Sequence, residues 1–574
     1  MSQHRRPTDP HSNSTGLDAV IVGAGFAGLY MLHKLRGLGL EAVVLEAGDG
    51  VGGTWYWNRY PGARVDVEAI HYSYSFSPEL EQEWEWQERY PAQPEILRYL
   101  DHVADRFDLR RDIRLSTRVS AAAYDDTAAR WTVTTDRGET YDARFCVMAT
   151  GCLSSSRVPD IKGLETFDGP WYHTARWPHE GVDFTGLRVG VIGTGSSGIQ
   201  SIPLIAEQAA ELTVFQRTPA YSLPARNRPL DPAEVRAAKA RYPLLRAEAR
   251  TSPVGLPGLP HPAGSALDAT EEERRARYTE RWEEGLLHGL VFTYTDILTD
   301  PRANRTVADF VREKIRETVT DPTAADLLCP ADHPFGTKRP ALDTGYYAAY
   351  NRDHVRLVDI RSAPITRIST RGVVTADAEY PLDALVLATG FDAMTGTLNA
   401  IDIRGRAGLP LRDKWAAGPL TYLGLQSAGF PNLFIVAGPG SPSVLTNMVT
   451  AIEQHVEWIA DCVLHMRTSG TDAIEATEEA ETAWVDHVNE VSGAMLYSEA
   501  DSWYLGANVP GKPRVFMPYA GGLGTYRGHC DAVATAGYEG FVLSAGQPQD
   551  VDQRTNGPAE RAGQADKRNE EQQE

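Results

Sequence analysis

The sequence predicts an α/β protein with two parallel-sheet βαβ units and a helical insertion. Three observations carry this expectation: an apolar strand, a GxGxxG turn and an amphipathic helix occur together twice; two further apolar strands end in Ala-Thr-Gly; and residues 226–330 turn charged and helix-patterned. The 574 residues are 42% hydrophobic, enough to build real cores and exclude a wholly disordered chain. A net charge of −21 excludes a nucleic-acid or anionic-membrane partner, which would need a basic footprint. No apolar run reaches the length of a membrane span, and the polar N-terminus lacks a signal-peptide core. A cytoplasmic protein, monomeric or weakly self-associating, is expected.

Taken in order, residues 1–16 are polar and read as a disordered tail, as do 546–574, which carry no aromatic residue. The apolar run 19–22 is a buried parallel strand, followed by Gly23-Ala24-Gly25-Phe26-Ala27-Gly28. Leu29, Leu32, Leu35 and Leu38 then recur at helical spacing, and the strand 42–45 ends at Glu46. The pattern repeats as a strand over 188–192, the turn Gly193-Thr194-Gly195-Ser196-Ser197-Gly198, a helix bearing Ile199, Ile202 and Ile205, and a strand ending at Gln216. Helices are expected over 233–249, 270–290 and 305–319, with the Pro/Gly-rich loop 252–265 as a mobile connection. Strands return at 355–358 and 382–387, and a helix lies around 444–466. The first unit is assigned 17–152 and 385–545, the second 153–225 and 331–384, and the insertion 226–330 within the second.

Each glycine turn follows a strand and precedes a helix, the context that makes a Rossmann-like dinucleotide site. The first glycine permits the tight turn, the second admits a pyrophosphate, and the third lets helix pack on strand, with free N–H groups at the helix start. Glu46 suits the bare ribose of FAD. At the matching place the second unit has Gln216 followed by Arg217 and Thr218, which suits the 2′-phosphate of NADPH. The cofactors expected are therefore FAD at the first fold and NADPH at the second. No metal site is expected. The strands 146–151 and 385–390, each ending Ala-Thr-Gly, return the chain to the nucleotide units. The five cysteines include no closely spaced pair, so disulfide reduction is excluded.

NADPH beside FAD leaves simple electron transfer and oxygenation open; between the first Ala-Thr-Gly and the second glycine turn lies the segment Phe167-Asp168-Gly169-Pro170-Trp171-Tyr172-His173-Thr174-Ala175-Arg176-Trp177-Pro178. It resembles the Baeyer–Villiger monooxygenase fingerprint FxGxxxHxxxWP at every defined position. Gly52-Gly53-Thr54-Trp55 through Tyr60-Pro61-Gly62 to Asp66 is similar to that family's GGxWxxxxYPGxxxD pattern. The resemblance covers about residues 17–540, and the loop 438–448 looks like the phenylacetone and steroid branch. It implies ketone oxidation with O2 to an ester or lactone through a C4a-peroxyflavin and a Criegee adduct. Arg339, in Phe335-Gly336-Thr337-Lys338-Arg339-Pro340, is implied as the catalytic cation and Asp66 as its carboxylate partner. Gly23, Gly25, Phe26, Gly28, Glu46, Thr54, Trp55, Asp66, Tyr72, Val119 and Met448 are implied at FAD. Arg64, Asp66, Gly193 to Gly198, Gln200, Arg217, Thr218, Lys338, Arg339 and Trp503 are implied at NADP. His173 is assigned to the interdomain hinge, outside the catalytic set. An arginine suits a peroxide anion because it never deprotonates and holds a carboxylate in a fixed geometry. The branch favours a bulky or cyclic ketone, terpenoids among them. Two other readings stay open: an N- or S-oxygenating flavoprotein, and a non-catalytic flavin-binding sensor.

Overall fold

The computed structural model describes residues 14–545, so the expected tails lie outside the described residues except at 14–16. Those three residues extend the first strand and correct the expected start at 17. They are too polar to register as an apolar run, but Ser14 pairs across to Tyr141.

The first sheet begins with β1 (Ser14–Val22), which leads through helix α1 (Phe26–Gly37) to β2 (Ala42–Leu45). It continues with β3 (Ile113–Arg114), β4 (Val119–Asp125), β5 (Arg130–Thr135) and β6 (Thr140–Met148). The second sheet takes β7 (Trp171–His173) and β8 (Arg188–Ile192), then helix α2 (Ser196–Gln208) and β9 (Glu211–Gln216). After the insertion come β10 (Val355–Asp359) and β11 (Ala384–Leu387), also in the second sheet. The chain then returns to the first sheet with β12 (Asp402–Arg404) and β13 (Leu433–Ile435). The first sheet runs β12-β4-β5-β6-β1-β2-β3 with β13 beside β6, and the second runs β10-β9-β8-β11-β7.

The central strands read as continuous apolar runs because helices or further strands cover both faces. Ala19, Val20 and Ile21 are fully buried in this way, as are Leu385, Val386 and Leu387. β11 pairs in parallel with β8 and β7, so it belongs to the second fold. The expected boundary before Leu385 is therefore corrected: the chain leaves the second fold after this strand.

The insertion opens with α3 (Pro232–Thr251), capped by Asp231 with proline in its first turn. α4 (Glu271–Glu284) starts on a Thr270/Glu273 capping box and stops at Gly285, whose φ is +66°. α5 (Pro301–Thr318) repeats the Asp-Pro start. Tyr278, Val307, Val311 and Ile315 from α4 and α5 share a core with Val189, Val191 and Ile202, as expected for an insertion in the second fold. α3 departs from that expectation. It packs on the helices Leu523–Thr535 and Pro78–Glu83 of the first fold, because its Arg246 and Lys239 find acceptors there. The loop expected to be mobile is fastened: the carbonyls of Pro253 and Val254 accept from Leu523 N and Asn447 N, each at 2.8 Å. Asn447 is the N-cap of α6 (Met448–Ser469). Among the described residues no helix is long and apolar enough to cross a membrane.

Candidate active site

Gly23 and Gly193 begin the two turns with φ of +105° and +111°. A Cβ at either would run into the carbonyl of Ala149 or Ala388, so each Ala-Thr-Gly strand end packs directly on a glycine turn. α1 and α2 then start at Gly25 and Gly195 with no side-chain cap, which leaves first-turn N–H groups available to phosphate. The backbone of Gly53 lies against Gly25, so the loop carrying Thr54 and Trp55 covers the first turn.

Around the first turn the predicted FAD residues assemble. Glu46 is buried and already grips the turn, its two oxygens accepting from Ala24 N at 2.7 Å and Gly48 N at 2.8 Å. A carboxylate has about four acceptor sites, so capacity for ribose hydroxyls remains. Trp55 Nε1 donates to Tyr72 Oη at 3.2 Å, and Phe26 meets the Tyr72 ring edge-on at 5.3 Å. Val119 shares a core cluster with Val22 and Leu45 at the strand ends, and Met448 packs between two clusters near the start of α6.

The residues expected at NADP divide into two groups. Thr194 Oγ1 donates to Thr218 O at 3.1 Å, which ties the second turn to the end of β9; Ser197 Oγ accepts from Thr174. Gln216 is buried and donates to Leu327 O at 2.7 Å, whereas Arg217 is exposed. Burial holds the Lys338 ammonium below its ordinary pKa, and the neighbouring Arg217 and Arg361 push the same way against Asp332 and Asp501. Trp503 opens the turn Trp503–Leu505 and lies against Tyr504 at 4.4 Å. Gln200 and Arg64 are occupied differently. Gln200 accepts from Tyr60 Oη at 2.8 Å and donates to Arg64 O at 3.0 Å, while Arg64 Nη1 reaches Glu88 and Tyr90 O. In this structure the pair links the two folds.

Arg339 donates from Nε and Nη2 to the two oxygens of Asp66, both at 2.8 Å, and from Nη1 to Val444 O at 2.7 Å. Burial works against the guanidinium charge, but the Asp66 carboxylate overcomes it and raises the pKa. Burial likewise pushes Asp66 up, and Arg339 more than reverses this, so its pKa falls. Both groups are ionised, and their side chains keep 18% and 26% exposure. His288 escaped the sequence reading. It is a lone histidine with no pattern around it, yet it lies close enough to influence Asp66; burial and then Arg339 lower its pKa to about 3, so it is neutral.

His173, expected at the interdomain hinge, ends β7 of the second sheet. Its Nδ1 accepts from Ala175 N at 3.1 Å, so Nε2 carries the proton and donates to Arg157 O at 3.1 Å. Thr389 Oγ1 also donates to Arg157 O, at 2.9 Å. The ring thereby joins the linker leaving the first fold to the Ala-Thr-Gly strand of the second.

Two glycine turns of the nucleotide-binding kind, with an arginine–carboxylate pair fixed between their folds, are the arrangement of a pyridine-nucleotide flavoprotein. Residues 20–230 match the family model described as pyridine nucleotide-disulphide oxidoreductase. The chain is 46% identical to acetone monooxygenase (methyl acetate-forming) from Gordonia sp. (strain TY-5), over 93% of this chain and 100% of the relative. It is 43% identical to a Baeyer–Villiger monooxygenase from Pseudooceanicola batsensis, over 92% and 96%. A phenazine N-monooxygenase from Lysobacter antibioticus is 42% identical, over 93% and 98%. Among solved structures, an oxidised steroid monooxygenase bound to NADP superposes with a TM-score of 0.88 at 56% identity, covering 92% of this chain and 100% of that one. A complex of OTEMO with FAD and NADP gives 0.89 at 43% identity, with 92% and 100% covered. The chain belongs to the Baeyer–Villiger monooxygenases, flavoprotein enzymes that work with FAD and NADPH.

Proposed function

We propose that this chain converts a ketone, NADPH, O2 and a proton into an ester or lactone, NADP+ and water. The observation that carries the reading is Arg339, held by three directed hydrogen bonds between the two nucleotide folds. FAD belongs on the turn 23–28 and NADPH on the turn 193–198; once reduced, the flavin supplies an activated oxygen nucleophile from O2. Arg339 keeps a positive charge beside the carbonyl oxygen as that oxygen becomes negative, which lowers the barrier to attack. Asp66 sets the plane of the guanidinium through a two-point contact, and the Val444 carbonyl restrains its remaining arm. Asp66 and the Val444 carbonyl are protein groups, so the guanidinium is oriented without help from the substrate. His288, held neutral, adds no second positive charge. The turn bearing Trp503 lies beside Arg339 through Tyr504 and suits a role in excluding water.

A bulky or cyclic ketone remains the favoured substrate, supported by the 56% identity to a steroid monooxygenase. One observation favours a second reading, oxygen transfer to nitrogen or sulfur: the phenazine N-monooxygenase similarity. Arg339→Ala separates the two. Flavin bleaching by NADPH under argon should persist, while ester formation falls by about 10²–10³-fold, the worth of one preorganised donor. If the variant forms ester at the parental rate, the role given to Arg339 is wrong. If it loses only ester formation and still oxidises a sulfide, the residue serves the Baeyer–Villiger route alone.

A further inference from the structure

Two neighbouring strands of the second sheet end side by side. β10 runs parallel to β9 with Asp359 opposite Gln216, and Ile360 N donates to Gln216 O at 2.9 Å. The chain leaving β9 carries Arg217 and Thr218; the chain leaving β10 carries Arg361. Arg361 Nη2 donates to Thr218 Oγ1 at 3.2 Å and to Asp332 Oδ2. Asp332 is held from its other oxygen by His333 Nδ1 at 2.7 Å, and the His333 ring is buried against the edge of Tyr221.

Both hydrogen bonds of the Arg361 side chain use Nη2, while its backbone N donates to Asp359 Oδ1 at 2.9 Å. Its Nε and Nη1 donors are free among the described residues, and Arg217 makes neither a hydrogen bond nor an ion pair there. Lys338 lies within electrostatic reach of Arg217, Arg361 and Asp332. Three cations with unspent donors, beside the end of the strand where an adenosine ribose is expected, suit one dianionic phosphate monoester. A carboxylate among them would oppose such a ligand unless it is committed elsewhere, and Asp332 is committed twice.

We propose that Arg361 is a third cation of the site for the ribose 2′-phosphate of NADPH, aimed by Asp332, which His333 fixes in turn. This rests on the reading that the second fold takes NADPH. The 2′-phosphate binds between Arg217, Lys338 and the free donors of Arg361, while Thr218 and Asp332 keep the Nη2 end in place. The site then selects NADPH over NADH through two adjacent strand ends instead of one.

Calorimetric titration of the FAD-loaded enzyme with adenosine 2′,5′-bisphosphate and with AMP tests this without turnover. Arg361→Gln should weaken the bisphosphate by about tenfold or more, the worth of a hydrogen bond to a charged group, and leave AMP unchanged. Arg361→Lys should recover part of the loss. Flavin content and melting temperature of the variant serve as folding controls, and Arg361 is half exposed, so its replacement leaves no hole in the core. Unchanged bisphosphate affinity in Arg361→Gln, or an equal loss for AMP, would overturn the proposal. If the parent enzyme itself binds the bisphosphate no more tightly than AMP, it is the NADPH reading of the second fold that fails.

Discussion

Asp66 does more at the centre of the molecule than neutralise Arg339. Two oxygens meeting two nitrogens fix rotation as well as position, which a single contact cannot do. Asp66→Asn keeps the shape but turns one acceptor into a donor facing a donor. Ester formation should fall by at least about tenfold, since one charged hydrogen bond is lost and another strained; a parental rate would show that the guanidinium needs no orienting. The pH dependence has a definite sign. Asp66 has its pKa lowered in the folded state, so the stability it contributes is present above the ordinary carboxylate pKa, about 4. That contribution is lost only as pH falls through the lowered value, and the pair should leave no break in a pH–rate profile between about pH 5 and 8. A break there that disappears in Asp66→Asn would contradict this assignment. Both partners could be named from the sequence because their motifs are distinctive. The Val444 carbonyl and His288 could not, since a backbone acceptor has no residue signature and a lone histidine resembles any other.

At the scale of elements, α3 shows how a helix can be read correctly and placed incorrectly. Its length and Asp-Pro start are local properties, and the sequence expectation falls within two residues of its ends. Its docking is decided by partners more than 150 positions away. Arg246 Nε donates to Glu81 at 2.8 Å, Nη2 donates to Ser73 Oγ at 2.8 Å, and the guanidinium lies over the Tyr242 ring at 4.8 Å. The Arg246–Glu81 pair is about nine-tenths buried. Burial pushes the Glu81 carboxyl up against the pull of Arg246, so removing the arginine strands a costly acid. Arg246→Ala should destabilise the protein by about 3–5 kcal/mol in denaturant titrations. A change below about 1 kcal/mol would mean that α3 is held by its apolar face alone. Partner-dependence also explains what went unread among the strands. The βαβ strands announce themselves as apolar runs, but β4 and β5 alternate burial and earn their place by antiparallel pairing with each other and β6. The chain from Ser14 to Gly16 likewise becomes strand only because β6 lies beside it.

For the molecule as a whole, the two folds are joined by specific polar contacts. Tyr60 Oη, Gln200 and the Arg64 carbonyl form one bridge; Arg157, whose Nη1 donates to Asn508 O, forms another. Gly62 fits against the Gln200 backbone, where any Cβ would collide. These contacts fix the spacing between the two folds, across which the proposed reaction would pass hydride and then oxygen, and small displacements at such distances are expensive. Gln200→Leu removes both arms of the first bridge at similar volume. More of the NADPH consumed should then appear as hydrogen peroxide and less as ester, with the flavin still bound. An unchanged product-to-NADPH ratio would show that the first bridge is dispensable for coupling.

The bond from Arg339 to Val444 has a consequence for how such an enzyme can diverge. The loop 438–448 holds one arm of Arg339, the cation proposed for the reaction. Substitutions there that admit a new ketone also reset the aim of the guanidinium, so selectivity and turnover are not independent traits. A library spread over 441–447 should yield variants in which altered preference comes with lost speed. Second changes that recover speed are expected where they restore the backbone path at Val444, and need not touch the substrate at all.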